Sequence, residues 1–316
     1  MTGRDVTLLV NPAAGRGRGR RRLPAVSAAL ADALGGRPLR VHRAADYADA
    51  ARVAARAVEA AVDGGCLVVM GGDGMAALGL NACAGTNVPL GIIPTGTGND
   101  FCRGAGLATS IPGAVDAITG GWTRRVDLMS VSGDLSDGSD HRYVGSVVSS
   151  GFDERVNRRT NNLPVSVGTA SYLFSVIAEL RSFRPLRYEL NIDGDIRALD
   201  AMLVAVGNSG LFGGGMRICP DADVHDGLLD VTIIHPVSRS LLLRLLPLVF
   251  TGGFVGHPAV ELLRARRVVV DGPGLMGMAD GEELGRPPFT CTAVPGAVSV
   301  FSPRGAVWPG GRRASA

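Results

Sequence analysis

The chain has no uninterrupted apolar run long enough to cross a bilayer. Its nearest approach, Leu241 to Val255, is short and broken by Arg244, Pro247 and two glycines. Met1 to Asp5 leads straight into a strand-like run with no secretory hydrophobic region, so a cytoplasmic protein is expected. Cysteines are few and odd in number: Cys66, Cys83, Cys102, Cys219 and Cys291, with no Cys-x-x-Cys spacing. That argues against a disulfide framework or a zinc site and for a reducing compartment. Charge of one sign is also lacking. A net +3 leaves the basic residues local and speaks against wholesale nucleic-acid binding. No internal repeat is visible. What is present is 46% hydrophobic residues and 45 glycines in 316 residues, a globular, turn-rich composition with length for about two domains.

The first part alternates strand-like runs with alanine-rich helical patterns. Val6–Val10, Leu67–Met70 and Leu90–Ile93 read as strands; Ala25–Leu34, Tyr47–Val62, Met75–Ala84 and Pro112–Thr119 read as helices. The helix at 47–62 is polar on one side through Arg52, Arg56, Glu59 and Asp63. Such alternation predicts a parallel sheet covered on both faces, a doubly wound α/β nucleotide-binding domain over 1–128. Strands dominate afterwards: 143–148, 186–192, 201–206, 229–234, 267–270 and 297–301, with helices expected at 170–183 and 241–250. This predicts an antiparallel β-sandwich over 129–303. Ser132–Asp140 reads as a hairpin loop and 304–316 as a tail, with residues near 303–310 as candidates to complete the first domain.

Gly71-Gly72-Asp73-Gly74 directly follows the buried-strand pattern ending at Met70. Glycines accept the tight turns that expose successive N–H groups, and such N–H clusters bind phosphate. A carboxylate among them needs a partner, either Mg²⁺ or a transferable proton. Alone, the motif also reads as a strand-to-helix turn with an acidic cap. A second such turn, Pro94-Thr95-Gly96-Thr97-Gly98-Asn99-Asp100-Phe101, follows the strand ending at Ile93. Both leave the carboxyl ends of strands, the edge at which open α/β sheets bind ligands. After the first strand come Asn11-Pro12-Ala13-Ala14-Gly15 and the cluster Arg16, Arg18, Arg20, Arg21 and Arg22. Arginine pairs bidentately with phosphate, although a solvated helix start reads the same way.

In the second half, Gly213-Gly214-Gly215 permits close approach of backbone to a ligand or to the other domain. Asp223-Val224-His225-Asp226-Gly227-Leu228 is a carboxylate-rich turn without EF-hand spacing; it suits a hard cation or plain solvation. Asp280-Gly281-Glu282-Glu283 places carboxylates about a glycine, where one could serve as general base.

Each piece is weak alone. Taken in order, Asn11–Gly15, the Gly-Gly-Asp-Gly turn, Gly-Thr-Gly-Asn-Asp-Phe, Gly213–Met216 and Asp280-Gly281-Glu282 resemble the diacylglycerol kinase catalytic family, especially its soluble bacterial lipid kinases. The resemblance spans about residues 5 to 303. It implies a nucleotide-binding α/β domain, a β-sandwich, and a cleft where ATP meets a lipid hydroxyl. By motif it implies that Asp73 and Thr97 contact ATP or Mg²⁺, with Asn11, Gly15, Arg16, Gly71, Gly72, Gly74, Thr95, Gly96, Gly98, Asn99 and Asp100 about the nucleotide. It implies a water-linked Mg²⁺ network of Asp73, Asp100, Asp127, Asp226 and Asp280. It also implies a structural Mg²⁺ at Asp223, Asp226 and Leu228, and Glu282 as base, so that Glu282, Asp280 and Asp73 form the catalytic set.

Two departures stand out: Met75 where the family often has threonine, and Ala77-Leu78 where it has Asn-Glu. The expected activity is ATP- and Mg²⁺-dependent phosphorylation of a lipid hydroxyl, diacylglycerol first. The alternatives are an NAD kinase, whose related fold also uses Gly-Gly-Asp-Gly, and a catalytically silent nucleotide- or lipid-binding regulator. Leu163, Tyr172, Leu173, Phe174 and Ile177, with Arg181 and Arg184, suggest peripheral contact with an anionic membrane, or a helix packed on its own sandwich. A homodimer is compatible with the sequence.

Overall fold

The computed structural model describes residues 5–36, 38–61, 64–151, 184–280 and 282–305, without the side chain of Arg16. In chain order the first elements are β1 (Val6–Val10), α1 (Ala14–Leu34), β2 (Leu39–Arg43), α2 (Tyr47–Ala60), β3 (Cys66–Gly71), α3 (Asp73–Cys83), β4 (Leu90–Pro94), α4 (Asp100–Gly104) and α5 (Ile111–Gly120). The strands pair in parallel in the order β2-β1-β3-β4. Their side chains alternate between two cores, as a two-residue period requires. Leu8, Val10, Val68 and Met70 face α1 and α5, while Leu9, Leu67 and Val69 face α2 and α3. Both faces are covered, which explains the continuous apolar runs. The chain departs in opposite directions from β1 and β3, so a crevice opens at their carboxyl ends.

The expected helix at 25–34 instead begins at Ala14 and takes in the arginine cluster. Gly15, Gly17, Gly19 and Pro24 hide this extension in the sequence, because each disfavours a helix interior.

The remaining elements are β5 (Thr123–Leu135), β6 (His141–Val144), β7 (Val147–Gly151), β8 (Leu186–Ile192), β9 (Asp195–Ala201), β10 (Leu203–Gly207), β11 (Leu211–Phe212), β12 (Met216–Arg217), β13 (Leu229–Ile234), α6 (Arg239–Leu248), β14 (Val260–Ala265), β15 (Arg267–Asp271), β16 (Gly277–Ala279) and β17 (Glu282–Phe301). They form an antiparallel sandwich. One layer runs β14-β13-β10-β7-β16; the other brings β9, β8, β15, β17, β5 and β6 together. Between them lie Met129, Val131, Tyr188, Leu190, Val204, Val231, Val268 and Phe289, all buried. The run at 143–148 is two strands: Gly145 interrupts it, packed so closely on Leu80 and Phe101 that a β-carbon would lie 2.6 Å from each.

The two domains share β17. It pairs antiparallel with β5, β15 and β16, and Val300 pairs in parallel with Leu90 of β4. The return to the first domain thus falls inside the last strand. None of the five cysteines is in a disulfide, and all five are buried. Burial pushes the thiols of Cys83, Cys102 and Cys219 up to about 12, so they serve as small apolar groups. The helix expected at 170–183 and the tail beyond 305 lie outside the described residues.

Candidate active site

Three loops meet at the β1/β3 crevice. Gly15, at φ +59°, sits against the Thr95 carbonyl, which a β-carbon would overlap. A β-carbon on Gly96 would lie 2.6 Å from Gly72 Cα, so the two glycine loops touch backbone to backbone. Arg18 fastens the first loop to the third: its Nε donates to Gly15 O (3.2 Å) and its Nη2 to Gly96 O (3.3 Å).

Asp73 joins the second and third loops. Its Oδ2 accepts from Asn99 N (2.8 Å) and its Oδ1 from Asp100 N (2.6 Å). Asn99 adopts φ 53° and closes the loop on itself, accepting from Gly96 N and donating to Gly96 O, both at 3.1 Å. No side chain caps the start of α3, which leaves its first amides facing the crevice. Such a helix start favours anions.

The resulting cavity has a volume of about 560 Å³. It is bordered by Asn11, Gly15, Gly72, Asp73, Gly74, Thr97 and Gly98, and also by Tyr47 and Glu282. A smaller chamber of about 190 Å³ adjoins it through Tyr47, Gly74 and Glu282, and holds Asp280, Arg142 and Asn81. Glu282 therefore borders both spaces. Ala279 pairs with Glu282, and Asp280, at φ 51°, lies where β16 ends before β17. Burial pushes the Asp280 carboxyl up to about 7. Asp73 and Glu282 add to the rise, while Arg142 and a hydrogen bond from Ser146 oppose it.

Asp100 is buried and reaches the other domain, its Oδ2 accepting from Gly214 N at 2.7 Å. The 213–215 glycines thus approach the first domain. Burial raises the Asp100 carboxyl, the Gly214 bond lowers it, and Asp73 raises it further. Asp100 Oδ1 has no partner among the described residues. An orphaned carboxylate oxygen beside Asp73 fits a hard cation held by one or two carboxylates, water and phosphate.

Asp127 and Asp226 lie in a separate group. Asp127 accepts from Gly227 N (2.8 Å) and Gly296 N (2.7 Å). Asp226 Oδ1 accepts from Leu228 N at 3.0 Å, and its Oδ2 lies 3.6 Å from Arg264. Asp223 Oδ1 is 3.1 Å from both His225 N and its Nδ1. Protein donors thus engage the carboxylates of this turn, and among the described residues no cluster of three or more His, Cys, Asp or Glu is arranged to hold a metal.

The departures from the family pattern also have places. Met75 is buried over Gly71, and Leu78 is buried in the core beneath the sheet, while only Ala77 borders the small chamber. Asn81 locks α3 to β6, donating to Tyr143 O and accepting from Tyr143 N, both at 2.7 Å. Sequence reasoning missed Tyr47 and Arg142. Neither belongs to a motif; they arrive from the start of α2 and from the hairpin strand β6. The only signal available was the turn at 132–140, which delivers Arg142.

The profile described as diacylglycerol kinase catalytic domain matches residues 5–131. The profile described as YegS C-terminal NAD kinase beta sandwich-like domain matches residues 146–302. A cavity lined by loops of the first domain and by Glu282 of the sandwich, in a chain that these two profiles match in succession, is the architecture of a two-domain lipid kinase. The chain is 38% identical over 309 residues to a diacylglycerol kinase of Mycobacterium tuberculosis (strain ATCC 25618 / H37Rv), covering 95% of each chain. A diacylglycerol kinase of Staphylococcus saprophyticus is 28% identical over 300 residues, 94% of each. A crystal structure of a diacylglycerol kinase from Bacillus anthracis str. Sterne shares the fold, with a TM-score of 0.72 at 20% identity over 97% of this chain and 100% of that one. The chain belongs to the diacylglycerol kinase family and is an enzyme of the lipid kinase class.

Proposed function

We propose that this enzyme transfers the γ-phosphoryl group of ATP, with Mg²⁺, to the hydroxyl of a lipid, diacylglycerol being the first candidate and phosphatidic acid its product. The observation that carries this reading is the position of Glu282, on the boundary between a glycine-lined cavity of about 560 Å³ and a smaller acidic chamber. The larger space falls in the range of small-ligand sites.

When bound, ATP would supply the phosphoryl group and Mg²⁺ would neutralise charge on it. The protein's own part is positioning. The glycine loops and the start of α3 orient the phosphates, and Asp73 with Asp100 offers carboxylate oxygens to the metal. Glu282 removes the proton from the acceptor hydroxyl in the small chamber. Arg142 lies beside Asp280 there and balances its charge. No step runs through the turn at 223–228.

The test is phosphate transfer from γ-labelled ATP to a panel of lipids in mixed micelles, with NAD⁺ included and Glu282→Gln run alongside. A labelled lipid, formed about 10²–10⁴-fold more slowly by the variant while ATP still binds, is the expected result. Labelled NADP, or an undiminished rate in Glu282→Gln, would overturn the assignment.

A further inference from the structure

Helix α6 is apolar on more than one face. Leu242 and Leu245, with Val249 and Phe254 beyond its end, are buried against Leu203, Ala205 and Ile234 of the sandwich. That inner stripe accounts for the fold. The opposite stripe, Ser240, Leu243, Arg244, Pro247 and Leu248, follows the helical spacing of three, four, seven and eight residues and points outward. Leu243 is 42% exposed and Leu248 40%; in the turn that follows, Phe250 is 44% and Val255 46% exposed. Four large apolar side chains within one short segment form a patch, unlike the single exposed residues normal on a surface.

The chain segment that carries this patch has charge of one sign. No Asp or Glu occurs between Asp230 and Glu261, whereas Arg239 and Arg244 both lie on α6 and are exposed. Apolar side chains beside arginines, with carboxylates absent from the segment, match the interface of an anionic bilayer: rings and aliphatic groups enter the acyl boundary while guanidinium groups meet the lipid phosphates.

The patch is also mechanically tied to the active site. Arg217 N of β12 donates to Val249 O at 2.9 Å. β12 and β11 form a hairpin whose connecting glycines place Gly214 N on Asp100.

We infer that the outward face of α6, continued by Phe250 and Val255, is the surface by which this enzyme docks on an anionic membrane. The inference rests on the lipid kinase reading for its purpose, but its test is separable.

The experiment is co-sedimentation with phosphatidylcholine vesicles, with and without phosphatidylglycerol, at low and high salt. The wild type should bind the anionic vesicles and be released by salt. Leu243→Glu/Leu248→Glu should bind at least about tenfold more weakly. Arg239→Gln/Arg244→Gln should lose about tenfold, on the anionic vesicles alone. Both double variants should keep the wild-type melting temperature and turnover on a short-chain, monomeric diacylglycerol. Ile196→Glu, at an exposed apolar position on β9, should bind as the wild type does.

No vesicle binding by the wild type, equal binding by Leu243→Glu/Leu248→Glu, or an equal loss in Ile196→Glu would overturn the assignment. So would a dimer that this double variant dissociates while vesicle binding is unchanged, which would make the face a contact between copies. Vesicle binding that the double variant loses, in an enzyme that phosphorylates no lipid, would uphold the docking surface and overturn the kinase reading instead.

Discussion

Asp230 shows how a single residue's surroundings set its chemistry. It is buried on β13, its Oδ2 has no partner among the described residues, and Arg264 Nε lies 3.5 Å from its Oδ1. Burial pushes its carboxyl up to about 6, the guanidinium pulls against that, and Asp226 and Asp221 add to the rise. An acid whose folded pKa lies above its unfolded value holds its proton longer in the folded state, so stability falls as pH rises between about 4 and about 6. Asp230→Asn should remove that slope and be more stable than the wild type at pH 7 by on the order of 2 kcal/mol. Urea melts of both proteins at pH 4.5 and pH 7 read the difference directly. Asp73 makes a related point. Its place among glycines marks it in the sequence as a carboxylate needing a partner, but the amides it accepts from belong to Asn99 and Asp100, on another loop.

At the scale of elements, glycine loops control how closely backbones approach. Gly15→Ala would force a β-carbon into the Thr95 carbonyl at a positive φ, prising the first loop from the third. The expected outcome is an ATP dissociation constant raised by about tenfold or more, read by calorimetric titration. Gly15, Gly17 and Gly19, with Pro24, concealed about the first three turns of α1, because local propensity opposes a helix that packing against β1 and β3 stabilises. Periodicity served best where an element is strongly patterned and bounded. β8 and β13 occupy the residues expected of them: β8 alternates buried with more exposed positions and β13 is a β-branched-rich run buried throughout, and both signals are local. In the sequence the pair β6 and β7 looks like one strand, because the break at Gly145 comes from the distant Leu80 and Phe101.

Over the whole molecule, β17 and Asp127 tie the domains. Asp127 takes Gly227 N with one oxygen and Gly296 N with the other, joining the start of β5 to the turn before β13 and to β17. Asp127→Ala leaves two half-buried amides without their carboxylate partner and should lower the unfolding free energy by about 2 kcal/mol, with Asp127→Asn losing less. Chemical denaturation measures both. Since β5 and β17 run through both domains, a single cooperative transition is expected in each protein.

The sequence alone determined that a parallel α/β domain precedes an antiparallel one, and that three glycine turns follow strand ends. Both are local matters, written in residue periods of two and 3.6 and in glycine's freedom of φ. It also supplied the carboxylates and, through their order, the family. Only the tertiary structure decided which carboxylates share a site. It gathers Asp73, Asp100, Asp280 and Glu282 about one crevice and commits Asp127 to two backbone amides. It brings in Tyr47 and Arg142, which no motif contains, and turns Leu243, Leu248 and Phe250 outward. These outcomes depend on contacts between residues tens to hundreds of positions apart, set by which faces of strands and helices must be buried, and spacing along the chain carries no record of them.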